Sequence, residues 1–386
     1  MSDGLKNRGN ERKDVDERRN AVTNITNVRF ENIQDFSFDP VAASKNVENM
    51  IGVVHVPLGF AGPVRINGDH ASGDFLVPMA TTEGALIASV SRGMSVITEA
   101  GGANVKIIAN AMTRAPVFRV DNIEHSMKVI GWIEKNIAKI DDAVSKTTSH
   151  GKLLDVEAFP NGRSLFLRFS YNTGDAMGMN MATIATEAAC RVIEENTKAS
   201  LVSVSGNMCT DKKPASINVI RGRGKSVIAE CLIPKAVVDS RLHTTTDAIV
   251  ETNIRKNLVG SAMSGSLGFN AHAANMVAAL YIATGQDPAQ TVEGSLAMTS
   301  CESVNGDLYI AVRMPSVEVG TVGGGTGLPA QSEALKMIDC LGGGKSSKLA
   351  EIVAVTVLAG ELSTLGAQAA GHLGKAHKEL GRKTTK

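Results

Sequence analysis

The sequence has no excess of either charge: Lys+Arg number 40 and Asp+Glu 39, a formal net charge of +1. Such a balance sets up no global field toward nucleic acid or an anionic membrane, so an anionic partner has to be met by a local cluster of cations. Cysteine is scarce. The five residues Cys190, Cys209, Cys231, Cys301 and Cys340 are odd in number, far apart and form no CxxC pair, which argues against a disulfide framework and a zinc site. A reducing compartment and no metal are expected. No stretch approaches the roughly 18 uninterrupted apolar residues of a membrane span. The N-terminal MSDGLKNRGNERKDVDERRN mixes both charges without an apolar core, and reads as a tail rather than a signal or anchor. The expectation is a soluble, cytoplasmic protein with neither nucleic acid nor membrane as partner. Aromatic residues make up 4% of the chain, against 38 glycines and 15 methionines, so the core is left to Ala, Val, Ile, Leu and Met. Backbones can then approach one another closely, as where a cofactor is gripped by main chain.

What is present is organised for about two domains, since 386 residues exceed a single ordinary core. Residues 47–66 alternate apolar runs with Pro57, Gly59, Gly62 and Pro63, a pattern of strands and tight turns. ALIASVSRGMSVI, residues 85–97, has helical spacing, with Thr81 and Thr82 as candidate caps. Residues 116–203 read as a separate unit of strand, charged helix (125–140), loop, strand and helix, a small α+β domain inserted in a larger one. The remainder carries a strand at 225–233, helices around 247–259 and 271–284, a strand at 307–314, a glycine loop, and a long helix of small residues from about Ser347.

Two apparent nucleotide motifs fail on inspection. GGGKSS, residues 342–347, has Asp339 where a phosphate loop needs its first glycine, and reads as a turn before a helix. GTVGGGTG, residues 320–327, contains no GxGxxG and lacks the setting of a Rossmann unit. It does follow a strand directly, so its main-chain amides are available to phosphate or nicotinamide. DAMGMN, residues 175–180, stands in a similar place between a strand and a helix.

Taken singly, the reactive residues all have ordinary explanations. Glu83 suits the first turn of a helix, and Asp287 before Pro288 suits an N-cap. Asp211, Lys212 and Lys213 ahead of Pro214 suit a solvated turn. His272 and Asn275, three apart, share a helical face, and His377 near the C-terminus suits an exposed histidine. Together they supply a base-capable histidine, two carboxylates, a paired-lysine loop and two glycine-lined turns, a set suited to reducing an acyl group.

VPMATTEGAL, DAMGMN, SGNMCTDKKPA, KNLVGSAMSGS, NAHAAN, GQDPAQ, GTVGGGT and AGHLGKAH, with ENMIG and VPLGFAGP, follow one another over residues 48–377. In that order they resemble the 3-hydroxy-3-methylglutaryl-coenzyme A (HMG-CoA) reductase family, in the class I form shared by archaea and eukaryotes. The resemblance implies an α+β protein with a large mixed helical and sheet domain for the substrate and an inserted, ferredoxin-like domain for NADP(H). It divides the chain into an N-terminal tail and helical segment (1–46), the first part of the large domain (47–115), the small domain (116–203), and the connecting loop, second large part and C-terminal tail (204–386). It further implies a homodimer or homotetramer with active sites at the subunit interface.

The implied reaction reduces the acyl thioester to mevalonate with two NADPH and releases coenzyme A, for isoprenoid biosynthesis. By the same resemblance Lys212 is the oxyanion partner, His377 the proton donor to the departing sulfur, and Glu83 the proton source for the aldehyde oxygen. Asp287 is expected to hydrogen-bond both Lys212 and Glu83. Arg114, Ser205, Asp211, Lys213, Lys256 and Asn275 match the pocket for the hydroxymethylglutaryl part, and His272 a neighbour of the thioester. Ser89, Ser91 and Arg92 fall where the family meets coenzyme A, with Ser91 replacing a usual asparagine. For NADP(H) the matches are Asp175, Ala176, Met177, Gly178, Met179 and Asn180, then Val322, Gly323, Gly324, Gly325 and Thr326, with Ser149 and His150 in place of a Ser-Arg pair near the 2′-phosphate. Two other readings stay open at this point: an NAD(P)H-dependent reductase of another carboxylate-bearing acyl-CoA, and a non-catalytic coenzyme A or nucleotide binder.

Overall fold

The computed structural model describes residues 9–371. Ten strands form one continuous sheet: β1 (Leu58–Gly68), β2 (Ser72–Ala80), β3 (Ala103–Arg114), β4 (Val117–Arg119), β5 (Lys152–Asn161), β6 (Ser164–Asn172), β7 (Ser200–Ser203), β8 (Gly224–Ile233), β9 (Met298–Val304) and β10 (Asp307–Val317). Their main order is β7-β4-β6-β3-β8-β10-β9, with β1 beside β3, β2 beyond β1, and β5 beside β6. β3 joins the two halves. Its residues 104–111 pair antiparallel with β8, and its last three, Met112, Thr113 and Arg114, pair with Tyr171, Ser170 and Phe169 of β6. Arg114 therefore stands at the junction of two cores.

The larger core surrounds the helix Ser346–Ala369, whose sequence is apolar on every side and which is buried along nearly its whole length. This helix packs on the Leu86–Glu99 and Ala273–Thr284 helices and on β3, β8 and β10. At 24 residues and mean hydropathy 1.5 it is long and apolar enough to cross a membrane, yet 94% of the relevant stretch is buried inside the protein itself. Within it, Glu351 and Glu361 are buried side chains that accept from main-chain amides: Glu351 through Oε2 from Ala71 at 2.6 Å and His70 at 3.0 Å, its Oε1 having no partner among the described residues, and Glu361 from Ala271 at 2.7 Å and His272 at 2.8 Å. Such hydrogen bonds offset part of the cost of burying a polar group.

The second core is drawn from residues 112–201. Here β5-β6-β4-β7 run antiparallel under the helices Ile123–Lys135, Ile137–Ser145 and Met179–Thr197. Chain order β-α-β-β-α-β in that spatial order is the ferredoxin-like arrangement. Two local expectations are corrected. The charged helix is two helices, divided at Asn136, whose φ of −123° leaves the helical region while its side chain bonds back to the Trp132 carbonyl at 2.8 Å. The loop expected before β6 contains β5, which pairs on one side only; an edge strand accepts the charges and Pro160 that hid it. β9, equally unforeseen, is likewise an edge strand, paired with β10 and, on its other side, only through a single bridge between Met298 and Phe269.

The N-terminal tail is also structured where it is described. Arg12–Thr26 is a helix, held because Arg18 is buried and donates to the Met50 carbonyl at 2.9 Å and to Asn10 Oδ1 at 2.9 Å. Val15, Ala43 and Met50 form a small core there, touching Leu328.

Candidate functional site

Three clefts lie among the residues picked out by sequence. The first, about 300 Å³, is lined by Glu83, Ser89, Arg92, His272, Asn275 and Thr364, among others. Glu83 lies ahead of the Leu86–Glu99 helix rather than in its first turn. Neither Thr81 nor Thr82 caps that helix: its N-cap is Ala85 at φ 71°, and Thr81 Oγ1 instead accepts from the Glu83 N–H at 3.0 Å. That turn points the Glu83 carboxylate across the cleft to Asn275 Nδ2, 3.2 Å away. Asn275 also reaches His272 Nδ1 at 3.3 Å, and His272 Nε2 sits 2.6 Å from Thr364 Oγ1 and 3.0 Å from the Gly360 carbonyl. The imidazole is thus anchored on both nitrogens. Ser89 and Arg92 converge on Ser363, at 2.9 Å and 2.7 Å respectively.

The second cleft, about 640 Å³, brings together turns that are far apart in sequence: 176–181 from DAMGMN, 285–288 from GQDP, and 320–326 from the glycine loop. Close approach of backbones explains the glycines. A Cβ on Gly320 would lie 2.5 Å from the Met177 amide nitrogen, and one on Gly325 would lie 2.6 Å from the Gly285 carbonyl oxygen. The cleft wall is consequently main chain, and Gly178, at φ 90°, opens the Met179–Thr197 helix into it. A helix N-terminus beside exposed amides is suited to a phosphate-bearing dinucleotide.

The third cleft, shallow and about 850 Å³, is lined by Pro214, Lys256, the 260–268 loop, His272 and Val292. The DKK loop connects it to the second. Lys212, in the left-handed region at φ 58°, turns its ammonium to Asp287 at 2.8 Å, which raises its pKa chiefly through that hydrogen bond and holds it as the cation. Asp287 caps the short turn Pro288–Gln290 by accepting from the Ala289 N–H at 3.0 Å, as the Asp-Pro pair predicts. Within the single chain the Glu83 carboxylate contacts Asn275 rather than Asp287.

Other site residues are placed as follows. Asp211 accepts from Arg223 and from Gln290, each at 3.1 Å, so its carboxylate is already engaged. Lys213 folds back onto the Asp211 carbonyl at 3.0 Å. Arg114 donates to Thr183 at 2.6 Å and Ser205 faces Cys209 at 3.5 Å; neither lines the three clefts. Ser91 does not line the first cleft. Asp175 does not line the glycine-rich second cleft. Its carboxylate accepts from the amides of Gly344 at 2.6 Å and Ser346 at 3.1 Å, bonds that outweigh partial burial and lower its pKa, so it fastens the start of the Ser346–Ala369 helix. Ser149 and His150 lie in the loop before β5, next to Gly151, which packs against the cleft residue Met181. His377 lies outside the described residues.

Sequence reasoning missed the charge beneath the loop. Arg223 is fully buried and donates to Glu293 Oε2 at 2.6 Å, Gln290 Oε1 at 3.1 Å and Asp211 Oδ1 at 3.1 Å, with Glu318 at 3.6 Å. Burial, with Glu293 alongside, raises the Glu318 pKa well above the usual carboxylate range. The available signal was Arg223 between Gly222 and Gly224, a charge entering an apolar strand.

A family model described as hydroxymethylglutaryl-coenzyme A reductase matches residues 14–382. The chain is 53% identical over 370 residues to the 3-hydroxy-3-methylglutaryl-coenzyme A reductase of Haloferax volcanii, covering 95% of this chain and 92% of that one. With the enzyme of the same name from Methanocaldococcus jannaschii it shares 52% identity over 372 residues, with 95% and 92% covered. Among solved structures, a class II 3-hydroxy-3-methylglutaryl-CoA reductase from Streptococcus pneumoniae, bound to NADPH in open conformations, superposes with a TM-score of 0.70 at 19% identity, over 91% of this chain and 86% of that one. At that identity the likeness is one of fold.

Proposed function

The chain belongs to the hydroxymethylglutaryl-coenzyme A reductase family, and from that premise we propose how its residues divide the work. It is an oxidoreductase that reduces HMG-CoA to mevalonate with NADPH and releases coenzyme A, a step of isoprenoid biosynthesis. The observation that carries the assignment of roles is the Lys212–Asp287 pair at 2.8 Å, with Asp287 in the wall of the glycine-lined cleft and Lys212 on the loop leading to the cleft shared by Lys256 and His272.

The main-chain wall formed by Met177–Met181 and Val322–Thr326 fits NADPH, and NADPH bound there supplies hydride. Lys212 sits beside the carbonyl oxygen that gains charge in each reduction, where a fixed ammonium stabilises the transition state by several kcal/mol. Asp287 keeps that ammonium protonated and aimed. His377 gives the proton to the departing coenzyme A thiolate, and Glu83, oriented by Asn275, gives one to the aldehyde oxygen. Lys213 and Lys256 meet the free carboxylate of the acyl group. Ser89, Arg92 and His272 line the approach of coenzyme A.

We further assign the unit 116–203 as the dinucleotide domain within a large domain formed by 47–115 and 204–386. The functional protein is a homo-oligomer completing its sites at the subunit interface. Exposed Ile254, Val259 and Met263, on the helical run that carries Lys256, support such an interface. Five free, buried cysteines support a reducing, cytoplasmic setting.

Assays on HMG-CoA and on supplied mevaldehyde test this division. His377→Gln is expected to lose about 10²–10⁴-fold on the thioester and little on the aldehyde, and Glu83→Gln a comparable factor on the aldehyde. Equal losses on both substrates for His377→Gln would move the sulfur-directed proton to another residue.

A further inference from the structure

Lys212 is held at both ends by one short segment. Asp287 takes its ammonium at 2.8 Å, and Glu293, six residues on, accepts from its main-chain N–H through Oε1. The second oxygen of Glu293 accepts from Arg223 at 2.6 Å, and the same guanidinium holds Asp211, the residue before Lys212. Gln290, between Asp287 and Glu293, bonds both Arg223 and Asp211 at 3.1 Å. Glu293 and Arg223 are completely buried and line none of the three clefts, so they reach substrate only through the loop.

The left-handed backbone at Lys212 needs such a clamp. At φ 58° a residue with a Cβ is in an unfavourable region, and it persists only when surrounding bonds over-determine it. We infer that Glu293, braced by Arg223, is a positioning residue for the reaction: by fixing the Lys212 amide it sets the direction in which the ammonium points. This rests on Lys212 being the oxyanion partner. Glu293 carries no proton to or from substrate, and its effect is on geometry alone.

The test compares Glu293→Ala and Glu293→Gln in the full-length enzyme, with kcat referred to the folded fraction measured by circular dichroism. The Ala variant removes the acceptor and is expected to lower kcat on the order of 100-fold, the effect of misplacing a catalytic group by about an ångström, with KM for HMG-CoA within about threefold of wild type. Glutamine keeps a carbonyl oxygen for the Lys212 N–H but gives a weaker, neutral hydrogen bond, so kcat falls less, by about tenfold. Wild-type kcat per folded molecule in either variant overturns the inference, as does a loss that follows only the folded fraction. Should Glu293→Ala fail to fold, Glu293→Gln decides by the same criterion. Lys212→Ala is the control: if it retains turnover, the fault lies in the assignment of Lys212; if it is inactive while both Glu293 variants match wild type, the fault lies here.

Discussion

Replacing Lys212 by alanine is expected to lower turnover of HMG-CoA by about 10³-fold, the cost of removing a principal donor from an oxyanion site, while the protein stays folded. Both halves of that statement come from the geometry. Lys212 and Asp287 retain 43% and 29% of their side-chain exposure, so their ion pair is worth little to stability, about 0–1 kcal/mol. The same ammonium stands against Asp287 in the wall of the glycine-lined cleft, where no other cation of the loop takes its place: Lys213 is turned back onto the Asp211 carbonyl. Both reductions should fail together, with KM for HMG-CoA little changed because Lys213 and Lys256 remain. Steady-state kinetics with HMG-CoA and with mevaldehyde check this, and retention of aldehyde reduction would show that Lys212 serves only the first stage.

Arg223→Met should have the largest effect on stability, a loss of about 3–5 kcal/mol, because it strands the buried carboxylate of Glu293, and the half-buried one of Asp211, without their cation. Contrast with Lys212 decides the matter: the two cations lie next to each other in the structure, yet one is partly solvated and the other fully buried. Burial alone would lower the Arg223 pKa, but Glu318, Glu293 and Asp211 reverse that and hold the charge in place. Urea unfolding followed by circular dichroism measures the change. An unaltered midpoint would mean that the cluster relaxes, by proton uptake or water entry, without resisting the loss.

The elements most visible in the sequence are those with one strong cause. DLYIAVRM alternates and lies in β10, and the apolar run after Ser346 became the central helix. β5 and β9 escaped because edge strands tolerate polar residues, charges and Pro160 in β5 and serines with Glu302 in β9, and the helix break at Asn136 left no proline or glycine to mark it. In the site, motif order picked out Glu83, Lys212, Asp287 and His272, each of which the fold puts at or beside a cleft. It could not show that the Asp175 carboxylate fastens a helix start, that Glu83 turns to Asn275, or that Asp211 is bound from below. Those facts depend on pairings across 171, 192 and 12 positions of chain, which no local spacing encodes. The Arg223 cluster is hidden for the same reason, since its members come from four separate stretches.

The central claim is that one site, organised on Lys212, carries out both reductions before product leaves. The most direct measurement follows NADPH oxidation and free thiol release together, with purified protein and limiting HMG-CoA. The account predicts two NADPH oxidised for each coenzyme A released, with mevalonate as the product and no free mevaldehyde. One NADPH per coenzyme A, with mevaldehyde accumulating, would contradict it.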